Sequence, residues 1–284
     1  MPTYAVTGAT GPFGHHVVEN LLDRGIAPRD VVAIVRTPAK AADLAARGVD
    51  VRVGDYSRPE SLPAALAGVD SLLLVSGSEV GRRVGQHAAV IDAAKAAGVG
   101  RILYTSILRA DTSEIALAAE HKATEELIVA SGLPYAFLRN SWYLENYTDR
   151  LAEYLGRGVI ADATGDGRVA AATRADFAEA AASAVLDGSA VNAVYELGGT
   201  PFTMKELAAE ITAASGTEVV HQDLTPAELV AALQGAGLDE GTAGFVAGLD
   251  EAAARGDLDT DSGDLARLLG RPVTSLRAAV RAGI

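Results

Sequence analysis

Three glycines at three-residue spacing, Gly8, Gly11 and Gly14, lie between a short apolar strand, Tyr4-Ala5-Val6-Thr7, and an amphipathic helix. Residues this small let a backbone turn tightly and approach a pyrophosphate, while the helix N-terminus aims unpaired N–H groups at the anion. The spacing is G-x-x-G-x-x-G and not the G-x-G-x-x-G of the general dinucleotide fingerprint, so the flanking strand and helix carry the reading. A Gly-rich turn with a merely structural role is the other reading. On the first, Gly8, Ala9, Thr10, Gly11, Pro12, Phe13 and Gly14 surround the phosphates.

In folds that bind the unphosphorylated dinucleotide, an Asp or Glu about 20 residues past the glycines takes the ribose hydroxyls. That place, at the end of Val31-Val32-Ala33-Ile34-Val35, belongs to Arg36, with Lys40 one helical turn further on. A guanidinium matches a 2′-phosphate and stacks on adenine, but gives no acceptor to a diol. The pattern therefore predicts NADPH in preference to NADH, against a plain solvated arginine at a strand end. Asp55 and Tyr56, closing the third strand, are expected beside the adenine, with Asp55 equally suited to cap the following helix. Ser76, Gly77, Ser78 and Glu79, closing the fourth, suit close packing on the cofactor ribose or an N-cap region.

The residues that would act on substrate are fewer. None of the eight tyrosines has a lysine four positions later, so the Tyr-Lys pair that moves a proton to or from an alcohol oxygen is absent. On the helix where that lysine would lie stands His121, which can position or donate a proton or can be a buried or capping histidine. Arg139-Asn140-Ser141-Trp142-Tyr143-Leu144-Glu145-Asn146-Tyr147 gathers the single tryptophan and two tyrosines in a chain that is 5% aromatic. A flat conjugated substrate or the nicotinamide can stack there, and Asn140 can offer an amide to the carboxamide; an aromatic hinge is the alternative. Tyr147 is the second proton-source candidate, and Arg174, opening a later helix, is placed to reach the same rim. His15, His16, His87 and His221 form no metal-ligand spacing, and no metal is expected.

The elements that position these residues alternate strand and helix from Tyr4 to Arg139. This predicts an α/β parallel sheet with ligands outside the carboxyl ends of its strands. Loops starting at Gly8, Arg36, Gly54, Ser76, Ser106 and Asn140 should share one rim. Helices are expected over 114–130 and 145–155 and, after a returning strand at Val194-Tyr195-Glu196-Leu197, through most of the remaining chain. Thr225-Pro226-Ala227-Glu228 supplies an N-cap, a first-turn proline and a capping-box acid. A chain of 284 residues without cysteine, and with a net charge of −13, excludes disulfides and thiolate chemistry and argues against a nucleic-acid surface. The first strand starts too early for a leader, and no apolar run spans a bilayer. A cytoplasmic protein is expected, and a homodimer is compatible with these features.

With these residues in view, the chain resembles the NmrA-like atypical short-chain dehydrogenases. It is most similar to the bacterial NAD(P)H:quinone oxidoreductases of the second type and next to the triphenylmethane reductases. The motifs are Gly8 to Gly14, Val32 to Lys40, Ser76-Gly77-Ser78-Glu79-Val80-Gly81, Ala94 to Val99, Tyr104-Thr105-Ser106, Leu138 to Tyr147 and Ala172 to Asp176. The resemblance implies an NAD(P)-binding Rossmann fold, a doubly wound parallel sheet with a smaller, mostly helical C-terminal lobe. The cofactor domain would span 1–155, with segments near 170–198 returning to it, and a substrate lobe 199–284 would close over the rim. It also implies an NADPH-dependent reductase of quinones without flavin or metal, with Gly8 to Gly14, Arg36, Ser76 to Glu79 and Asn140 to Glu145 on the cofactor. His121 occupies the place where related isoflavone-reductase-like enzymes carry a catalytic lysine. Two rivals follow from the same likeness: a redox sensor that binds NAD(P) and regulates a protein partner, and a reductase of another conjugated electrophile such as a dye or imine.

Overall fold

The structure, a computed structural model, describes residues 1–189 and 191–284. The first half runs β1 (Tyr4–Thr7), α1 (Pro12–Asp23), β2 (Val31–Val35), α2 (Ala42–Ala46), β3 (Asp50–Val53), α3 (Leu62–Leu66), β4 (Ser71–Leu74), α4 (Arg83–Ala97) and β5 (Arg101–Ile107). It continues with α5 (Ala118–Ser131), β6 (Tyr135–Asn140), α6 (Glu145–Thr148), α7 (Leu151–Arg157), β7 (Val159–Asp162), α8 (Arg174–Leu186) and β8 (Ala193–Leu197). The remainder is α9 (Met204–Ser215), β9 (Val220–Asp223), α10 (Pro226–Gly235), α11 (Glu240–Ala254), α12 (Asp264–Leu269) and α13 (Leu276–Gly283).

Among the described residues seven strands form one sheet in the order β3-β2-β1-β4-β5-β6-β8, and the pairings from β3 through β6 are parallel. This is the doubly wound arrangement expected from the alternation, and the order reverses at β1 and β4, beside the glycine loop. β2 and β4 are buried along their whole length, as unbroken apolar runs demand of strands covered on both faces. Ala5, Val32, Ile34, Leu72, Leu74, Ile102 and Tyr104 make one core with Leu62 and Leu66 of α3 and Val90 and Ile91 of α4. α8 packs on α1; Ala178, Ala181, Ala182 and Ala184 of α8 and Val17, Val18 and Leu21 of α1 are all buried. Each buried Val or Leu of α1 contributes about 1.5–3 kcal/mol through removal from water, and each alanine methyl about 0.8 kcal/mol.

The contacts divide the chain into two compact units. One holds Met1–Ala110, Glu120–Asn140 and Arg174–Tyr195, and the other Asp111–Ala119, Ser141–Thr173 and Glu196–Ile284. In the second, β7 and β9 pair in parallel as a two-stranded sheet, and α9 and α10 open with capping boxes at Thr203 and Thr225. Several local expectations need correction. β5 runs on through Ile107, so the loop expected from Ser106 begins later, and the next helix starts at Ala118. The helix expected over 145–155 is two, α6 and α7. β9 was not visible as a strand because Val220-His221-Gln222-Asp223 has one aliphatic residue and depends on β7 for its pairing.

Arg101 shows how the first unit is tied. Its Nε donates to Ser71 Oγ (3.1 Å), Nη1 to the Asp187 carbonyl (2.5 Å) and Nη2 to those of Ala184 (3.2 Å) and Val185. One guanidinium thus caps the carbonyl end of α8 from the sheet, where the helix dipole favours a cation. Replacing Arg101 by Met should lower the unfolding free energy by about 2–3 kcal/mol, the scale of a charged hydrogen-bond set, as read by urea denaturation.

Candidate active site

The glycine loop is built on one close approach. Gly8 takes φ +60°, and Gly11 N–H donates to the Gly8 carbonyl at 2.9 Å. A Cβ on Gly14 would lie 2.4 Å from that same carbonyl oxygen, so the first turn of α1 can sit on the loop only without a side chain there. Gly11 is the N-cap of α1, has no side-chain cap bond, and is followed by Pro12 at the first helical position. The first-turn N–H groups therefore have no intrahelical partner and face any anion at the loop. Gly8 and Pro12 are exposed and Thr10 and Gly11 half-buried, whereas Ala9, Phe13 and Gly14 are buried and pack the turn.

Arg36 follows β2 with its side chain 73% exposed, 4.0 Å from Glu79 Oε1; Lys40 is exposed on the turn beyond. Asp55 accepts Ser57 N–H (2.9 Å) and Arg58 Nε–H (3.1 Å). The Ser57 bond and then Arg58 hold its carboxyl below the usual range. The Tyr56 hydroxyl donates to the Val75 carbonyl (2.9 Å) and lies against Thr7 Oγ1, and burial keeps the phenol protonated far above its ordinary value. The loop after β4 is pinned in turn: Ser76 N–H donates to Thr105 Oγ1 (2.8 Å) and Gly77 N–H to His87 Nε2 (2.9 Å). Ser78 is exposed, and Glu79 also pairs with Arg82 at 3.0 Å. The first unit thus brings together the glycine loop, Arg36, Asp55, Tyr56 and Ser76 to Glu79.

His121 and Asn140 belong to the same unit. His121 is 6% exposed, with Nδ1 2.8 Å from the buried Tyr104 hydroxyl. Burial, with Arg83 and His87 adding to it, pushes its imidazole down to about 3. Asn140 ends β6 at 5% exposure, and its Oδ1 is buried with no hydrogen-bond partner among the described residues. Arg139 beside it is committed to a buried bidentate pair with Glu125 (3.0 and 2.7 Å). Arg174 is the half-buried first residue of α8.

Ser141 to Glu145 and Tyr147 belong to the second unit. Ser141 N–H donates to the Leu197 carbonyl (2.8 Å) and its hydroxyl to that of Leu258 (2.9 Å), so this side chain is spent locally. The Trp142 carbonyl accepts Ala172 N–H, Tyr143 bridges Ala172, and Leu144 N–H returns to the Ala172 carbonyl. Leu144 is buried, while Trp142, Tyr143 and Glu145 are half-exposed. Tyr147 packs edge-on to Phe202 at 5.8 Å. Burial first, then Asp250, Tyr154 and Asp162, raise its hydroxyl well above the ordinary phenol range. His221 meets Asp162 at 3.1 Å and lies with Asp223 in a group that sequence spacing did not anticipate. Thr164 and Gly165 already donate to the two carboxylates.

Comparison with known proteins gives the family. The NAD(P)H-binding family model matches residues 8–188. The chain belongs to the NAD(P)H-binding family. This NAD(P)H-binding protein is 48% identical to quinone oxidoreductase 2 of Escherichia coli K12 over 277 residues, 97% of this chain and 96% of that one. The crystal structure of the NADPH-dependent quinone oxidoreductase of E. coli, complexed with NADPH, superposes with a TM-score of 0.95 over 99% of both chains. Triphenylmethane reductase of Citrobacter sp. with NADP(H) superposes at 0.94, with 38% identity, over 99% of this chain and 100% of that one.

The residues present fit a dinucleotide. A cradle that a Cβ would fill, uncapped first-turn N–H groups and the orphan Asn140 acceptor are the features such a ligand needs. What residue types alone did not reveal are Thr7, His87 and Thr105, whose bonds to the β4 loop span 68, 10 and 29 positions of the chain. The one available signal is a lone histidine on the buried side of α4.

Two outcomes are expected. Gly14→Ala should raise the Kd for NADPH at least about tenfold and cost about 1–3 kcal/mol of stability through overpacking, checked by calorimetry and urea unfolding. His121 and His87 are held neutral, at about 3 and about 4 against 6.5 in the unfolded chain. Below 6.5 the unfolded chain takes up protons that the native one refuses, so stability should fall as pH drops from 6.5 toward 4. A His121→Phe variant should show a shallower slope in the same window.

Proposed function

We propose that this chain is a reductase that transfers hydride from NADPH directly to a quinone, with neither flavin nor metal taking part. The observation that carries the proposal is the 48% identity to the E. coli quinone oxidoreductase along 97% of the chain. The glycine loop, with no room for a side chain at Gly14, supports it. When bound, NADPH supplies the hydride from its nicotinamide. The chain's own residues bind and orient: Gly8 to Gly14 take the pyrophosphate, Arg36 and Lys40 the 2′-phosphate, and Ser76 to Glu79 the ribose. Asn140 offers its free acceptor to the carboxamide NH₂, and Asp55 and Tyr56 shape the adenine side. Arg174 and Ser141 to Glu145 are assigned to the cofactor set as well, and residues 199–284 are assigned as the substrate lobe.

A quinone is already a strong electrophile, so orientation and proximity account for most of the rate. Water delivers the proton in this reading. His121 is neutral at physiological pH and occupied by Tyr104, and Tyr147 holds its proton too tightly to act as a strong acid. Trp142 and Tyr143 provide flat, partly exposed faces for a conjugated ring. Among the described residues no helix is long and apolar enough to cross a membrane; the enzyme is assigned to the cytoplasm, with a homodimer as its simplest assembly. The 38% identity to triphenylmethane reductase and the net charge of −13 favour, as a second reading, a cationic dye as the flat electrophile.

Purified, flavin-free protein should oxidise NADPH steadily in the presence of simple benzoquinones and naphthoquinones. Absence of turnover across the panel, with NADPH still bound, would move the assignment to a sensor, and turnover with dyes alone to the second reading. Arg36→Glu should reduce the ratio of kcat/KM for NADPH over NADH by more than about tenfold, the scale of one charge-assisted phosphate contact.

A further inference from the structure

Where β4 leaves the sheet, its next three backbone N–H groups are each taken by a side chain from a different element. Val75 N–H donates to Thr7 Oγ1 of β1 (2.9 Å), Ser76 N–H to Thr105 Oγ1 of β5 (2.8 Å), and Gly77 N–H to His87 Nε2 of α4 (2.9 Å). Two of these acceptors are hydroxyls, which accept at any ordinary pH. The third is an imidazole nitrogen, which accepts only when it carries no proton.

The surroundings of His87 select one state of the ring. Because Gly77 supplies a backbone N–H to Nε2, the ring proton must sit on Nδ1. Nδ1 lies 2.9 Å from Thr124 Oγ1, and the Thr124 hydroxyl donates onward to the Glu120 carbonyl at 2.8 Å. Each proton in the chain Gly77–His87–Thr124–Glu120 therefore has a single place. His87 is fully buried, with the Tyr56 and Tyr104 rings edge-to-face with it at centroid distances of 6.0 and 5.4 Å. A Cβ on Gly77 would meet Gln86 Oε1 at 3.3 Å and His87 Nε2 at 3.6 Å, so the loop lies directly on the imidazole edge.

We propose that His87 is a positioning residue for cofactor binding: as the neutral Nδ1–H imidazole it holds the Gly77 N–H and so shapes the Ser76–Glu79 loop that receives NADPH. The proposal rests on the NADPH-binding reading given above and assigns it a residue that touches neither reactant. The titratable and charged neighbours are Arg83 on the same helix, Tyr56 after β3, Tyr104 on β5, and His121 and Glu120 on α5, with Glu120 3.8 Å from Arg83. Burial and the Arg83 charge both oppose a second proton, and hold the ring down to about 4. A protonated Nε2 would face the Gly77 N–H donor to donor and release the loop.

The test uses the full chain. His87→Leu removes the acceptor and should raise the KM and Kd for NADPH about tenfold, the equivalent of one buried hydrogen bond. Its kcat should stay within about threefold, a split that a general loss of packing would not produce. His87→Gln, whose Oε1 can accept from Gly77, should recover most of the affinity. Equal NADPH affinity in the parent and His87→Leu, or equal losses of kcat and affinity in both variants, would overturn the proposal. A second measurement needs no variant: ¹⁵N spectra of histidine-labelled protein at neutral pH should show His87 as the Nδ1–H tautomer. An Nε2–H tautomer or an imidazolium would overturn the proposal even if the variants fail to fold. Failure of the unmodified protein to bind NADPH would instead bring down the functional reading, and this proposal with it.

Discussion

The contact between Gly14 and the Gly8 carbonyl sets the geometry of the first unit. With only 2.4 Å available to a Cβ, α1 can begin where it does because position 14 has no side chain. That lets the helix start directly over the end of β1, and it leaves the first-turn N–H groups facing outward from the loop. The strand order reverses beside the same point, which is where open α/β sheets leave a crevice at their carboxyl ends. A helix displaced outward by one methyl group would separate the donors from the loop that is meant to share the same anion.

The rest of the rim is held by borrowed hydrogen bonds and not by continuous secondary structure. Loop residues 75 to 77 have left the β ladder, and a buried backbone N–H without a partner is costly. The chain satisfies them with Thr7, Thr105 and His87. Tyr56 adds a fourth pin through its hydroxyl to the Val75 carbonyl. This explains a layer of polar side chains, among them Tyr104, His121 and Thr124, inside an otherwise aliphatic core. A neutral histidine inside such a layer is a consequence of burial, since imidazolium beside Arg83 would be doubly unfavourable. The same burial leaves His121 neutral, with no second proton to donate at neutral pH, which suits a substrate that is itself electrophilic.

Much of this was legible in residue order. The glycine loop, the aliphatic run into Arg36 and the small residues after β4 are local signals, because each depends on neighbours within a few positions. Helix starts at Thr225 and the break at Gly98, which takes φ +73° at the end of α4, are equally local. The division of the stretch from Glu145 to Arg157 into α6 and α7 was not legible, since apolar periodicity continues across the break. Nor was β9, whose strand character comes from pairing with β7.

The sequence by itself determined the alternation of strands and helices, the anion-binding turn at Gly8 to Gly14 and the cationic residue that stands where an acidic one would select a diol. These follow from conformational and chemical preferences that act over a turn or a strand. Only the tertiary structure decided which side chains hold the rim in shape and in what protonation state. Thr7 reaches Val75 across 68 positions and His87 reaches Thr124 across 37, and no local preference encodes such a contact. The neutrality of His87 and His121 is likewise a property of the buried space around them, created when the sheet and its helices close on the ring.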